Sequence, residues 1–266
     1  MEGWISNKST ILLLMKICVL ASGSQGNCTY IETMNHKILI DLGTNLTYTT
    51  SQLNSIGIDP KEIDTILITH THGDHVNGLS PFIQKYNPTI YLSEKMHEEL
   101  KIKLKNYYYL EDILVLDDTI IEVIKLSHDK NDINGYIIES EGKNLVYITD
   151  TGYINQKYHS KLKNKNIYIM ESNHDVEMVM NCSRPHFTKM RIISDKGHLS
   201  NKDSAKYLSK FIGESTKNVI LAHLSADNNT QELALTTLQD ALREKRIDFD
   251  NITIAKQEKR IELIEI

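Results

Sequence analysis

The chain predicts an α/β or α+β fold, because short β-branched runs alternate along it with longer segments of mixed polar and apolar residues. The early runs follow one another closely, as hairpins do, whereas the later ones are spaced by helix-length segments. Strands arriving in that order form sheets whose outer faces are covered by helices. No linker, internal repeat or low-complexity tract divides the sequence.

The first strand candidates are 16–20, 29–32 and 37–41, the last of these being the apolar Ile38-Leu39-Ile40 ending in Asp41. A helix over 47–55 precedes a strand at 65–69, where Ile66-Leu67-Ile68-Thr69 is too short and too β-branched for a helix. Helices over 79–85 and 94–104 flank a strand at 89–92. Strands at 120–126, 135–139, 145–149 and 167–170 follow, with a helix over 156–163 before the last. The final third reads as helix 202–211, strand 219–223, helix 230–244 and strand 252–255. Asn201 is placed to cap the first of these helices and Thr230 the second, whose Leu235, Leu238 and Leu242 share a face.

At 266 residues the chain has room for one large α/β domain or two small ones. A hydrophobic share of 40% and a charged share of 24% place it among ordinary soluble globular proteins. The net charge of −5 gives no strong global attraction to nucleic acid, though a local basic groove is compatible with that total. Cys18, Cys28 and Cys182 are too few and too scattered for a disulfide framework or a thiolate metal site, which suits a cytoplasmic protein. Cys18 lies in an apolar strand and reads as a small core residue. Near the N-terminus, Ile11-Leu12-Leu13-Leu14 lacks a basic leader and a clean cleavage site, and Lys16 interrupts the run far short of a membrane span. Residues 1–14 are therefore read as an extension upstream of a domain over 15–266, with Met15 as the functional initiator.

The decisive feature is His70-Thr71-His72-Gly73-Asp74-His75, directly after the strand at 65–69. Four potential metal ligands fall within these six residues. His70 and His72 alternate in an extended chain and so point the same way. Asp74 and His75 follow through a turn that Gly73 relaxes, and can serve a second ion. Imidazole nitrogen and carboxylate oxygen suit zinc and similar divalent ions. Three later residues, His128, Asp150 and His223, each sit where an apolar strand runs out. Read singly, His128 is equally a surface residue beside Asp129, and Asp150 a turn residue before Thr151-Gly152.

The motif with its surroundings resembles the metallo-β-lactamase superfamily, whose signature is His-x-His-x-Asp-His. The resemblance covers nearly the whole chain from Met15, and Ile38-Leu39-Ile40-Asp41-Leu42-Gly43 looks like that superfamily's first apolar strand ending in Asp-x-Gly. Three further segments, 21–27, 171–175 and 197–201, together look like the YycJ/WalJ (VicX) group of bacterial hydrolases. The resemblance implies one domain, a four-layer αββα sandwich with a metal cleft at the edge between two sheets. It implies that His70, His72 and His128 hold one ion, that Asp74, His75 and His223 hold another, and that Asp150 bridges them. Zinc or manganese fits these ligands, and iron is also compatible. Two such ions would bring the pKa of a bridging water from ~15.7 toward ~7, giving a hydroxide nucleophile that Asp74 helps to aim.

Glu171 and His198 sit in strings that look like segments of the superfamily's tRNA 3′-processing endonucleases, where an acid-oriented His protonates the leaving oxygen. An alkoxide leaves poorly from a phosphodiester, so a general acid is useful there. His198 is read as that acid or as a phosphate contact, and Glu171 as its orienter; the plainer alternative makes His198 a helix-entry residue. Lys189 and Arg191, with Arg184 nearby, either grip phosphate oxygens or form a solvated helix face. The stretch 184–191 departs from the resembling group in lacking a Tyr before Pro185. Ser24 and Asn27, with Ser22, line the cleft or simply form a tight turn. His174 and Asp175 either bond within the site or brace its loop. Tyr107-Tyr108-Tyr109 is read as a partly buried helix end rather than a base-stacking platform.

The leading expectation is therefore a metal-dependent phosphodiesterase, a DNA exonuclease or other nuclease, with DNA favoured over RNA. A small-molecule phosphodiesterase or thioesterase, or a regulatory protein of a cell-wall two-component locus, are the competing readings. No membrane association is expected, and no segment points to a protein partner.

Overall fold

A computed structural model describes residues 15–266, so the expected upstream extension, 1–14, lies outside the described residues. The chain first forms β1 (Lys16–Ala21), β2 (Cys28–Glu32), β3 (Lys37–Ile40), β4 (Thr65–Leu67), β5 (Thr89–Leu92) and β6 (Tyr107–Tyr109). It continues with β7 (Ile113–Leu116), β8 (Thr119–Lys125), β9 (Asn134–Ser140), β10 (Lys143–Ile148), β11 (Ile167–Glu171), β12 (Asn218–Ala222), β13 (Ile252–Ile254) and β14 (Ile264–Glu265). Among the described residues these make two seven-stranded sheets, ordered β14-β1-β2-β3-β4-β5-β6 and β13-β12-β11-β10-β9-β8-β7. Each sheet opens with antiparallel hairpins and ends in parallel strands, β3 to β6 in the first and β10 to β13 in the second.

The helices are α1 (Leu46–Ser55), α2 (Gly73–Val76), α3 (Leu79–Tyr86), α4 (Glu94–Glu99), α5 (His159–Leu162), α6 (Val176–Asn181), α7 (His186–Ile192), α8 (Asn201–Phe211) and α9 (Gln231–Glu244). Leu53 of α1 with Leu79 and Phe82 of α3 is buried in the core that includes the first sheet. Leu208, Phe211, Leu238 and Leu242 of α8 and α9 pack instead on the second sheet's outer face. The period-two alternation makes this possible. Along β10, β11 and β12, Leu145, Tyr147, Ile167, Ile169, Ile220 and Ala222 face the inter-sheet core. Their neighbours Val146, Ile148, Tyr168, Met170, Val219 and Leu221 face α8 and α9. Helix, sheet, sheet and helix thus form the four layers that the resemblance implies, with helices on the outer faces as the strand order predicts.

Several elements differ from the sequence expectation. The helix expected over 94–104 stops at Glu99, because Leu100, Ile102 and Leu104 turn onto the core instead of following a helical face. Tyr107-Tyr108-Tyr109 is an edge strand parallel to β5, not a helix end, as its aromatic β propensity favours. Asn201 does not cap α8; Ser200 does, accepting from the Asp203 N–H, while Asn201 is the first helical residue. Thr230 caps α9 as expected, accepting from the Leu233 N–H. The short helices α6 and α7 and the edge strands β7 and β14 carry too little periodicity to be read from sequence.

Candidate metal centre

The polar side chains gather where the parallel strands of both sheets end, the position at which open α/β sheets present ligand sites. Asp41 directly follows β3, His70 to His75 follow β4, Asp150 follows β10, Glu171 ends β11 and His223 directly follows β12. Asp41, Asp150 and His223 all turn there with left-handed backbone, at φ 61°, 56° and 55°. Such backbone costs non-glycine residues about 1 to 3 kcal/mol each and is held only where surrounding structure fixes it. The loop after β3 does part of that fixing. Leu42 N–H donates to the His75 carbonyl, and Asn27 N–H donates to that of Asp74 at 2.7 Å. Gly43 fits between them because a Cβ there would stand 1.6 Å from the Asp74 carbonyl oxygen.

Every residue expected to hold metal is brought to this rim. Ligand atoms of His70, His72 and His128 lie within 4.8 Å of one another, as do those of Asp74, His75 and His223. Asp150 approaches both groups: its carboxylate is 3.1 Å from His75 Nε2, 3.5 Å from His223 Nδ1 and 3.9 Å from His128 Nε2. The donor set is all imidazole and carboxylate, which fits divalent cations. One orphaned atom fits them as well: His223 Nε2 is buried without a hydrogen-bond partner. Buried polar atoms are satisfied as a rule, and an open imidazole nitrogen beside Asp74 and His75 fits a metal-ligand role.

Charge balance points the same way. Burial opposes ionisation of Asp74 and Asp150, yet His75 and His223 hold both carboxyls well below the usual range. Burial likewise opposes protonation of His223, but Asp150, Asp74 and Glu171 push its pKa up to about 10. His75 is raised against burial by Asp150 and Asp41. His70 and His72 are pushed down by burial and are neutral donors. Protons on His75 and His223 thus balance the carboxylates, and binding of divalent cations would release them.

Around these groups lie the residues that orient them. Asp41, fully buried, accepts from His75 Nδ1 at 2.7 Å and from Thr69, leaving His75 Nε2 for the centre. His128 Nδ1 donates to the Gly197 carbonyl at 2.7 Å, which frees its Nε2 in the same way. Glu171 is wholly buried and accepts from His198 Nδ1 at 2.8 Å, His223 Nδ1 at 3.0 Å, Thr151 N–H at 3.0 Å and Leu199 N–H at 3.1 Å. Burial alone would raise its pKa; the His198 contact and its other bonds bring it down to about 2.

The residues expected to touch substrate divide. Ser24, Arg191 and His198 line the open cleft in front of the candidate metal-ligand cluster, together with Arg184, Lys196 and Asn173. Asn27 is turned inward, its amide against the Gly23 carbonyl, Asp74 and His75. Lys189 reaches back to the Met180 carbonyl at 2.7 Å. His174 is buried with both ring nitrogens unpartnered, and burial pushes its pKa down to about 4. Asp175 caps α6, accepting from the Met178 N–H.

Two residues of this cluster, Asp41 and Asp129, receive no role from the sequence. Asp41 carried a signal, since it ends an apolar strand just as Asp150 and His223 do. Asp129 sits 3.2 Å from His72 Nε2 and 3.3 Å from His128 Nε2 through Oδ1, while Oδ2 accepts from Arg191 at 3.1 Å. Nothing in its spacing separates it from a surface neighbour of His128.

Comparison with known proteins identifies the family. The metallo-β-lactamase superfamily profile matches residues 21–162. The chain is 36% identical over 236 residues to the exodeoxyribonuclease WalJ of Streptococcus pneumoniae, covering 85% of this chain and 88% of that one. It is 35% identical over 234 residues to the exodeoxyribonuclease YycJ of Bacillus anthracis, covering 85% and 89%. Among solved structures, the metallo-β-lactamase fold protein YhfI of Bacillus subtilis superposes with a TM-score of 0.72 at 14% identity, over 95% of this chain and all of that one. Sequence, fold and the rim of histidines and aspartates agree: the chain belongs to the metallo-β-lactamase superfamily of metal-dependent hydrolases.

Proposed function

We propose that the protein is a two-metal phosphodiesterase whose substrate is DNA, acting as an exodeoxyribonuclease. The observation that carries this reading is the single buried carboxylate of Glu171 holding both His198 and His223 by their Nδ1 atoms, at 2.8 and 3.0 Å. It fixes one tautomer on each ring. His223 Nε2 is left as a metal ligand, and His198 Nε2 is left to serve the cleft that His198 lines.

In this reading His70, His72 and His128 would hold one ion and Asp74, His75 and His223 the other, with Asp150 between the two groups. Zinc or manganese suits the donors, with iron also compatible. Such ions, when bound, lower the pKa of water and polarise a phosphoryl oxygen. The protein supplies the remaining chemistry. Asp41 and Glu171 keep their histidines in register, so that no reorganisation is needed during reaction. His198, in its imidazolium form, gives its Nε2 proton to the leaving alkoxide, and Glu171 stabilises the charge on the ring before transfer. Arg191, Arg184 and Lys196 at the cleft attract the phosphates of a polyanion.

The names of the relatives in S. pneumoniae and B. anthracis support DNA as the substrate. Free thiols at all three cysteines support a cytoplasmic location, and among the described residues no helix is long and apolar enough to cross a membrane. The pairing of Met15 with Ile266, each N–H bonded to the other's carbonyl at 3.1 Å, supports one hydrolase domain over 15–266, with residues 1–14 ahead of it.

The test is cleavage of end-labelled single- and double-stranded DNA and RNA by zinc- or manganese-loaded protein, beside His72→Ala. Metal-dependent cleavage of DNA that the substitution abolishes is the expected result. Turnover of bis-p-nitrophenyl phosphate with no cleavage of any polymer would replace this reading with a small-molecule diesterase.

A further inference from the structure

The hairpin of α6 and α7 carries an unusual surface. Val176, Met180, Phe187 and Met190 are large apolar side chains left in solvent there, and Phe187 is 80% exposed. Clustered exposed apolar side chains of this kind mark interaction sites. The same stretch is basic. From 184 to 196 it carries Arg184, Lys189, Arg191 and Lys196 against the single acid Asp195, in a chain of net charge −5. An apolar ring set among cations matches a polyanion that also has flat apolar faces.

The hairpin is built into the catalytic cleft. Arg184, Arg191 and Ile192 line that cleft, and the His198 N–H donates to the Ile192 carbonyl at 3.0 Å. Phe187 and Arg191 are four residues apart on α7 and share a face, about 6 Å apart along the axis. The platform is also fixed in place. Arg184 bonds Asp227 at 2.6 Å, Arg191 bonds Asp129 at 3.1 Å, and Lys189 ties α7 to the Met180 carbonyl at the end of α6.

We infer that the α6–α7 hairpin is a subsite for single-stranded DNA, in which Phe187 stacks on an unpaired base while Arg191 and Lys196 contact the backbone leading to His198. The inference rests on the nuclease reading above and extends it to a substrate form. Only an unpaired base presents its face to an exposed ring, so the subsite selects single strands or frayed ends over intact duplex. A protein partner would use the same apolar surface but would not require an aromatic ring at 187.

The experiment compares wild type with Phe187→Ala, Phe187→Leu and Phe187→Trp, all manganese-loaded, on a labelled single-stranded oligonucleotide and on bis-p-nitrophenyl phosphate. The readout is the ratio of kcat/KM for the two substrates, with thermal melting confirming that each variant is folded. Loss of one stacked base predicts a fall in that ratio of about tenfold for Phe187→Ala, carried by KM. Phe187→Trp restores the ratio and Phe187→Leu does not. An unchanged ratio in Phe187→Ala, or rescue by Leu equal to that by Trp, overturns the stacking subsite while leaving the nuclease reading intact. Failure of wild type to cut any oligonucleotide while it hydrolyses the small ester overturns both.

Discussion

Replacing Glu171 by Gln removes one charge and almost no volume, and its consequences follow from four hydrogen bonds. The carboxylate accepts on one side from the Thr151 and Leu199 N–H groups and on the other from the Nδ1 atoms of His198 and His223. An amide can accept on only one side. The backbone N–H groups cannot change role, so the Gln oxygen turns to them and its NH₂ meets the two imidazoles. Each ring must then accept through Nδ1 and carry its proton on Nε2. His223 loses the lone pair it needs as a ligand, and His198 loses the anionic partner that stabilises its imidazolium form. The pKa of Glu171, about 2 against an ordinary 4.5, measures how strongly its surroundings favour the carboxylate, about 3 kcal/mol. For a chain of this size that corresponds to a fall in Tm on the order of 6 to 12 °C in metal-free protein. Metal affinity at the Asp74, His75 and His223 side should fall about 10- to 100-fold, and kcat on DNA about 100-fold or more. Chelator competition gives the first number and end-labelled DNA cleavage the second. A Glu171→Gln protein that binds both ions normally and cuts at the wild-type rate would refute the tautomer argument.

Three other outcomes follow. His198→Ala should lower DNA cleavage about 10²- to 10⁴-fold while keeping metal content, and should spare bis-p-nitrophenyl phosphate, whose leaving group needs no proton; equal losses on both substrates would discredit the acid role. Gly43→Ala should destabilise the fold and weaken metal binding together, since its Cβ would collide with the Asp74 carbonyl, and a chelator titration with a melting curve reads both. His174 binds its proton less readily when folded, with a pKa of about 4 against 6.5. Its contribution is therefore complete above about pH 6.5 and is lost as pH falls toward about 4, up to about 3 kcal/mol. Urea unfolding of His174→Leu at stepped pH should show a shallower acid loss than wild type, and parallel profiles would remove His174 from the account.

Part of the candidate metal centre is local in the sequence: His70 to His75 put four potential ligands within six residues. His128, Asp150 and His223 close apolar runs, and only the family resemblance joins them to that motif. Strands buried on both faces were legible for the same reason: Val146-Tyr147-Ile148 and Val219-Ile220-Leu221 have no polar residue to mislead. The rest depended on contacts between distant segments. Asp129 acquires meaning only when Arg191 reaches it from 62 residues away, and Asn201 yields the cap to Ser200 because its own side chain is taken by Ser172 and Asn229. The helix over 94–104 failed because Leu100, Ile102 and Leu104 gain more from the core than from a third helical turn. Asn27 looked like a cleft residue because its loop is glycine-rich, whereas its amide faces inward to Asp74 and His75.

The most direct test of the two-ion account is a titration of metal-free protein with manganese or zinc while cleavage of end-labelled single-stranded DNA is followed. Activity should rise until two equivalents are bound and then stay flat, and Asp150→Asn, which removes the carboxylate between the two groups, should abolish that endpoint. Full activity at one equivalent, or cleavage that persists without added metal in the presence of chelator, would contradict it.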